Sequence, residues 1–309
     1  MSGYPMRRVA SVLTLTLAVA GAACTSQSIT DQGGGASALT AYQADSLAAS
    51  VATDVNELAE ASAFDASTGM DLASRPGHVA GQAVPPRPPC IVVSPTDPPT
   101  DMDGDMVPDS ARFDFSACTY TRGSFTFAVT GKVDIIDPAP TTPSLGVKSV
   151  FIGFGRSVTN TSTNQTLSAV HDGTRQWTAT ADQLTHTIGL TGIPFSTVLT
   201  FPNGQTASHA KNWSSIFTAD VQGSIMFGSP LPAGNWSLNG TSTWTKGARS
   251  WSATVTTQTP LHFNPGCSLA PRFDSGQLVL VVTRMGQTFN VTITFTGCGA
   301  VTVVRTPVV

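Results

Sequence analysis

The chain of 309 residues carries 16 Lys and Arg against 19 Asp and Glu; it is 40% hydrophobic and only 11% charged, the balance of a folded chain rather than a disordered or nucleic-acid-binding one. Glu occurs only at Glu57 and Glu60, and beyond the first quarter Thr, Ser, Gly and Pro replace the helix formers. That composition excludes a helical bundle, a doubly wound dinucleotide enzyme and any catalytic site that needs a Glu in the last two-thirds of the chain.

The N-terminal segment has secretory logic: Arg7-Arg8, the apolar run Val9 to Ala20, then Gly21-Ala22-Ala23 before Cys24. The apolar run is too short to span a bilayer, so residues 1–23 read as a signal peptide. A cysteine placed directly after small residues resembles the lipobox of bacterial lipoproteins. That resemblance implies a lipidated (palmitate-bearing) Cys24 as the mature N-terminus, anchored in a membrane of the bacterial cell envelope. Gly21 stands where the family usually has Leu, and ordinary secretion after signal-peptidase cleavage is the alternative.

Residues 24–38, with Gly33-Gly34-Gly35 and nothing to bury, read as a flexible tether. Over 39–64 the pattern changes: Leu39, Tyr42, Leu47, Val51, Val55 and Leu58 recur at helical spacing with Asp45, Asp54, Glu57 and Glu60 between them, which predicts an acidic amphipathic helix. Its apolar stripe needs the β domain as a partner. Residues 65–109 form a Pro-rich linker; Pro85-Pro86-Arg87-Pro88-Pro89 is a stiff extended lead into Cys90. Residues 24–109 hold twelve acidic groups against Arg75 and Arg87, whereas 110–309 hold twelve basic against seven acidic, so the two parts attract.

Five cysteines leave one unpaired unless Cys24 carries lipid; Cys90, Cys118, Cys267 and Cys298 then remain for disulfides in an oxidising compartment. Three connectivities are open. The sequence neighbours Cys90 with Cys118, and Cys267 with Cys298, are the expected pairs, each loop contributing about 3–4 kcal/mol in the chain-entropy model.

The linker ends in the run Asp97-Pro-Pro-Thr-Asp101-Met-Asp103-Gly-Asp105-Met-Val-Pro-Asp109, inside the expected Cys90–Cys118 loop. Carboxylates so dense repel unless a cation relieves them, and Ca²⁺ gathers six to eight such oxygens. The run resembles the calcium loops of thrombospondin type 3 repeats and dockerin-like modules. The resemblance implies Asp101, Asp103, Asp105 and Asp109 as carboxylate ligands and Val107 as a carbonyl ligand of one structural Ca²⁺. Met106 departs from the usual Gly, and Arg112 from the usual closing acidic residue, for which Asp114 is the substitute. The other reading is a solvated acidic turn built on Asp103-Gly104.

Residues 110–309 alternate apolar and polar throughout, as in Phe125, Phe127, Val129 and in Phe289, Val291, Ile293, Phe295. Turn signals at Asp137-Pro138, Asp172-Gly173, Asn203-Gly204, Asn239-Gly240 and Met285-Gly286 predict an antiparallel meander of about twelve strands. The fold class is therefore mainly β, a β-sandwich or an open half-barrel, with one N-terminal helix. A membrane-embedded barrel is disfavoured by the lack of aromatic girdles and by Pro194, Pro230, Pro232 and Pro260. One internal echo, Gly173 to Thr180 and Gly247 to Thr254, reads either as a duplicated hairpin or as Thr-rich strands resembling one another.

Catalytic signatures are missing: there is no G-x-S-x-G, H-E-x-x-H or phosphate loop, and His78, His171, His186, His209 and His262 are scattered. No basic run with interleaved aromatic residues suits nucleic acid. Trp177, Trp213, Trp236, Trp244 and Trp251 form a glycan platform if they face out and a core if they face in. Two function classes follow: a non-catalytic, envelope-anchored module that binds an apolar small molecule, a glycan or a partner on its β domain, or a hydrolase using aspartates such as Asp172, Asp182 and Asp220 that only folding brings together.

Overall fold

The structure, a computed structural model, describes residues 90–307 apart from 96–98, 106, 116–117, 143–144, 191, 227–229, 270 and 285. The signal peptide, Cys24, the tether, the helix of 39–64 and residues 65–89 lie outside the described residues.

Fourteen strands follow one another: β1 (Val92–Ser94), β2 (Ser110–Asp114), β3 (Cys118–Arg122), β4 (Phe125–Ile136), β5 (Leu145–Asn160), β6 (Gln165–Ala179) and β7 (Gln183–Ile188). Then come β8 (Phe195–Thr200), β9 (Thr206–Ala219), β10 (Gly234–Lys246), β11 (Arg249–Phe263), β12 (Phe273–Arg284), β13 (Gln287–Gly297) and β14 (Ala300–Pro307). All pair antiparallel in a single sheet, in the order β1-β2-β4-β5-β6-β7-β9-β10-β11-β12-β13-β14. The two strands off that path fill lanes already begun. β3 continues β2 along β4, and β8 continues β7 between β6 and β9. Fourteen strands thus occupy twelve lanes, each beside its neighbour in the chain, so the meander is realised with two of its lanes interrupted.

The strands form one continuous hydrogen-bonded sheet, with β1 and β14 at its two ends. One face is buried. Along β9, Ala207, His209, Trp213, Ser215 and Phe217 are buried while Ser214, Ile216 and Thr218 are exposed, and β10 answers with Trp236, Leu238 and Ser242. Pairing carries this parity across the sheet, as in the row Ile135–Ser149–Arg175–Ile188–Trp213–Gly240–Val255. The buried side chains, from Val107 and Phe113 to Phe295, join into one core. Burying a Phe, Leu or Ile there is worth roughly 1.5–3 kcal/mol each.

Both expected disulfides are present, Cys90–Cys118 and Cys267–Cys298. The first ties the segment before β1 to the start of β3, and the second closes the segment between β11 and β12 against the β13–β14 turn. Turns form at Asp137-Pro138, Asn203-Gly204 and Gly286 as predicted. Two turn signals mislead. Asp172-Gly173 lies inside β6, and Asn239-Gly240 inside β10, so Trp236 and Trp244 share one strand. In both places glycine serves close packing: a Cβ on Gly173 would meet Phe195 Cα at 2.8 Å, and one on Gly240 would meet Trp213 Cδ1 at 2.6 Å. The internal echo dissolves for the same reason, since Gly173 sits in mid-strand while Gly247 sits in the turn between β10 and β11.

Gly240→Ala should therefore destabilise the protein by about 1–3 kcal/mol, the usual cost of overpacking. Urea unfolding of the two proteins side by side measures it, and an unchanged midpoint would contradict the packing described.

Candidate functional site

The acidic loop precedes β2 and is built by its own turn bonds. Asp101 Oδ1 accepts from the Gly104 N–H at 2.8 Å, Asp103 Oδ1 from Asp105 N–H at 3.2 Å, and Asp105 Oδ1 from Val107 N–H at 2.8 Å. Such Asx bonds hold each carboxylate against the backbone just ahead of it. Asp101, Asp103 and Asp105 each place a carboxylate oxygen within 4.8 Å of the others. Asp109 also closes the loop: its Oδ1 accepts from Met102 N–H at 3.0 Å, and its own N–H donates to Thr100 O at 2.9 Å. The Val107 side chain is fully buried and anchors the loop in the core. Asp114 stands apart, on β2 with Lys132 Nζ at 3.3 Å, so it does not supply the closing acidic group.

A carboxylate absent from the sequence motif stands beside the loop. The β2–β4 register pairs Ser110 with Ile136, which brings Asp137 opposite Asp109. The Asp137 N–H donates to Pro108 O at 3.1 Å and Asp109 O at 3.3 Å, and its Oδ1 accepts from Ala139 N–H at 2.8 Å. Asp137 is only 3% exposed, and both its Oδ2 and Asp103 Oδ2 are buried without a hydrogen-bond partner. Burial raises the Asp137 carboxyl above its ordinary pKa; the Ala139 N–H opposes this, and the charges of Asp105, Asp103 and Asp109 add to the rise.

The second assembly lies on the inner face, where cations meet aromatic rings. Arg156 on β5 places its guanidinium carbon 5.3 Å from the Phe154 ring centre, and Arg175 on β6 stands 4.3 Å from Phe195 and 5.7 Å from Phe151. Lys211 on β9 lies over Trp213 at 5.2 Å. Between them His171 stacks on Phe195 with centroids 6.0 Å apart, and its Nδ1 meets Thr197 Oγ1 at 2.9 Å. In the same cross-strand row His209 stacks on Trp244 at 4.1 Å, with Nε2 2.7 Å from Ser242 Oγ. Burial, reinforced by Arg175 and Arg156, lowers the His171 pKa to about 4. Burial with Arg175 lowers that of His186 to about 3. Burial and the Arg175 charge likewise lower Arg156 from its usual value.

Arg156 and Arg175 have no carboxylate partner among the described residues. The aspartates of the described strands, Asp114, Asp134, Asp172 and Asp274, lie on the opposite face by strand parity. There Asp134 pairs with Arg112 at 2.6 Å, and Asp172 Oδ1 accepts from Gly153 N–H at 2.6 Å. Arg175 Nε, Trp213 Nε1 and Trp244 Nε1 are buried without an acceptor among the described residues. Unmet donors of this kind cost about 1–3 kcal/mol each. All five tryptophans face inward, Trp177, Trp213 and Trp236 fully and Trp244 and Trp251 in part, so they do not form an exposed glycan strip.

Asp172, Asp182 and Asp220 do not converge. Asp182 accepts from Gly223 N–H at 2.6 Å, while Asp220 Oδ2 holds His262 Nε2 at 2.8 Å. His262 Nδ1 meets Asp274 Oδ1 at 2.7 Å, so the ring is held between two carboxylates, an arrangement that favours its protonated form. Asn235 and Asn264 donate to the outer oxygens of the two aspartates. This brace joins β10, β11 and β12 to the segment after β9. The Asp220 hydrogen bond, helped by Asp274 against partial burial, raises the His262 pKa above its ordinary value.

No family model, curated protein or solved structure matches this chain.

A raised histidine pKa stabilises the fold fully below the ordinary value and is lost as pH climbs through the raised one. Wild-type stability should thus fall, as pH rises above the ordinary histidine value, by a step that His262→Gln lacks. Urea midpoints of the two proteins between pH 6 and 9 test this; parallel profiles would show that the brace is not charged.

Proposed function

We propose that the protein is an exported, envelope-anchored lipoprotein whose β domain is a non-catalytic binding module for an amphiphile with an anionic head group. The observation that carries this reading is the pair Arg156 and Arg175, set among aromatic rings on the inner face with no carboxylate partner among the described residues. A carboxylate or phosphate would supply acceptors for the guanidinium groups, and charge-assisted bonds of this kind are about twice as strong as neutral ones. The adjoining apolar rows suit the rest of such a ligand: Phe127, Val158 and Leu167 pair across β4, β5 and β6, and Leu199 lies beside them, all half-buried. His171 and Thr197 supply neutral polar contacts between head and tail. The separate bonding of Asp172, Asp182 and Asp220 supports a binding role over hydrolysis.

Lipid on Cys24 would place this module at the envelope membrane, with residues 25–38 as its tether. One structural Ca²⁺ on the acidic loop belongs to the same reading, held by Asp101, Asp103, Asp105 and Asp109 with the Val107 carbonyl, and its donor set of hard oxygens fits that ion.

Titration of the mature chain with dodecanoate and with dodecyl phosphate, below their aggregation limits, tests the ligand class. Binding should weaken at least tenfold in Arg156→Gln/Arg175→Gln, and dodecanol should bind far more weakly than either anion. Equal binding of the alcohol, or of both proteins, would overturn it. In a bacterial host, the membrane-extracted chain should carry a diacylglyceryl mass that Cys24→Ser abolishes; an unmodified, released wild-type chain would mean plain secretion.

A further inference from the structure

The loop reading leaves two buried oxygens unexplained, Asp103 Oδ2 within the motif and Asp137 Oδ2 outside it. Asp137 directly follows β4, 28 residues beyond the last Asp of the loop it adjoins. Its backbone is fixed by the bonds to Pro108 O and Asp109 O, and one carboxylate oxygen is fixed by Ala139 N–H. The other oxygen is buried, carries no hydrogen bond, and belongs to a group that feels the charges of Asp103, Asp105 and Asp109. A carboxylate oxygen buried without a hydrogen-bond partner is costly by itself, and two such oxygens belong to neighbouring segments here. A divalent cation would supply the partner that both lack.

We infer that Asp137 is a further ligand of a divalent hard cation held by Asp101, Asp103 and Asp105, so that the ion ties the acidic loop to the sheet. The inference rests on the calcium reading of the loop and goes beyond it by naming a ligand that no loop motif contains. It also assigns the ion a task. The loop lies between β1 and β2, inside the span closed by Cys90–Cys118, and a cation shared with Asp137 joins it to the end of β4. Ca²⁺, with its tolerance for six to eight oxygens in uneven arrangement, suits a set drawn from two separate segments better than Mg²⁺, which demands near-ideal octahedral geometry.

Calcium titration calorimetry on the chelator-treated mature chain, disulfides intact, separates the inference from the reading beneath it. Wild type should bind one Ca²⁺ and melt at a higher temperature with it. Asp137→Asn keeps the acceptor for Ala139 N–H and removes the charge; it should lower the affinity fivefold or more while melting no lower than wild type without calcium. Asp103→Asn should also weaken binding, and Asp172→Asn should not. Should Asp137→Asn fail to fold, Asp137→Ser, which retains a short acceptor, replaces it under the same criterion. Binding by Asp137→Asn within fivefold of wild type would overturn the role of Asp137 and leave the loop site standing. No binding by wild type at millimolar calcium would overturn both.

Discussion

The structure depends on a single parity being kept across a very wide sheet. A strand's side chains alternate between faces, so one slip of register would turn its apolar set outward. Rows such as Ile135–Ser149–Arg175–Ile188–Trp213–Gly240–Val255 show the parity surviving six consecutive pairings. It survives because irregularities are absorbed locally. The bulge between Phe151 and Phe154 keeps both rings on the inner face, and they contact each other at 5.7 Å. The breaks between β2 and β3 and between β7 and β8 return the chain to the lane it left.

Against that apolar background, charge is sorted by face. Carboxylates on the strands stand outside and meet Arg112, Lys132, His262 or backbone N–H groups, whereas Arg156 and Arg175 stand inside over aromatic rings. Cation–π contacts soften the cost of burying a guanidinium, by about 0.5–2 kcal/mol, but do not supply an acceptor for its N–H groups. The acidic loop gathers the opposite charge at the edge of the same core, with the carboxylates of Asp101, Asp103 and Asp105 close together.

Much of this was legible in the chain. Period-two alternation gave the class, although the turn spacing predicted about twelve strands where there are fourteen; the cysteine spacing gave both disulfides, because each pair closes a local loop. Asp172-Gly173 and Asn239-Gly240 misled because glycine has two uses. It permits a turn, and it also makes room for a neighbour's Phe195 or Trp213, which local sequence does not reveal. Within the loop, Asp101, Asp103 and Asp105 were readable from spacing, but Asp137 was not, since only the β2–β4 register brings it there. The inner cations were equally hidden: Arg156, Arg175 and Lys211 look like three ordinary surface charges until strand parity is assigned across three lanes.

The meander has a further consequence for how the chain reaches this state. Each lane is laid down beside the one just completed, so almost every pairing closes a short loop and the entropy of ring closure stays small at each step. Assembly can run hairpin by hairpin in the order in which the residues leave the ribosome or cross a membrane as an extended thread. The lane shared by β7 and β8 adds tolerance to that scheme. Leu190 and Ile193 bridge each other between the two strands, and β8 resumes pairing with β6 and β9 beyond the point where β7 ends. Insertions at such a point lengthen a protrusion without shifting any pairing downstream, which makes it the natural place for the surface of this protein to diversify while its core stays constant.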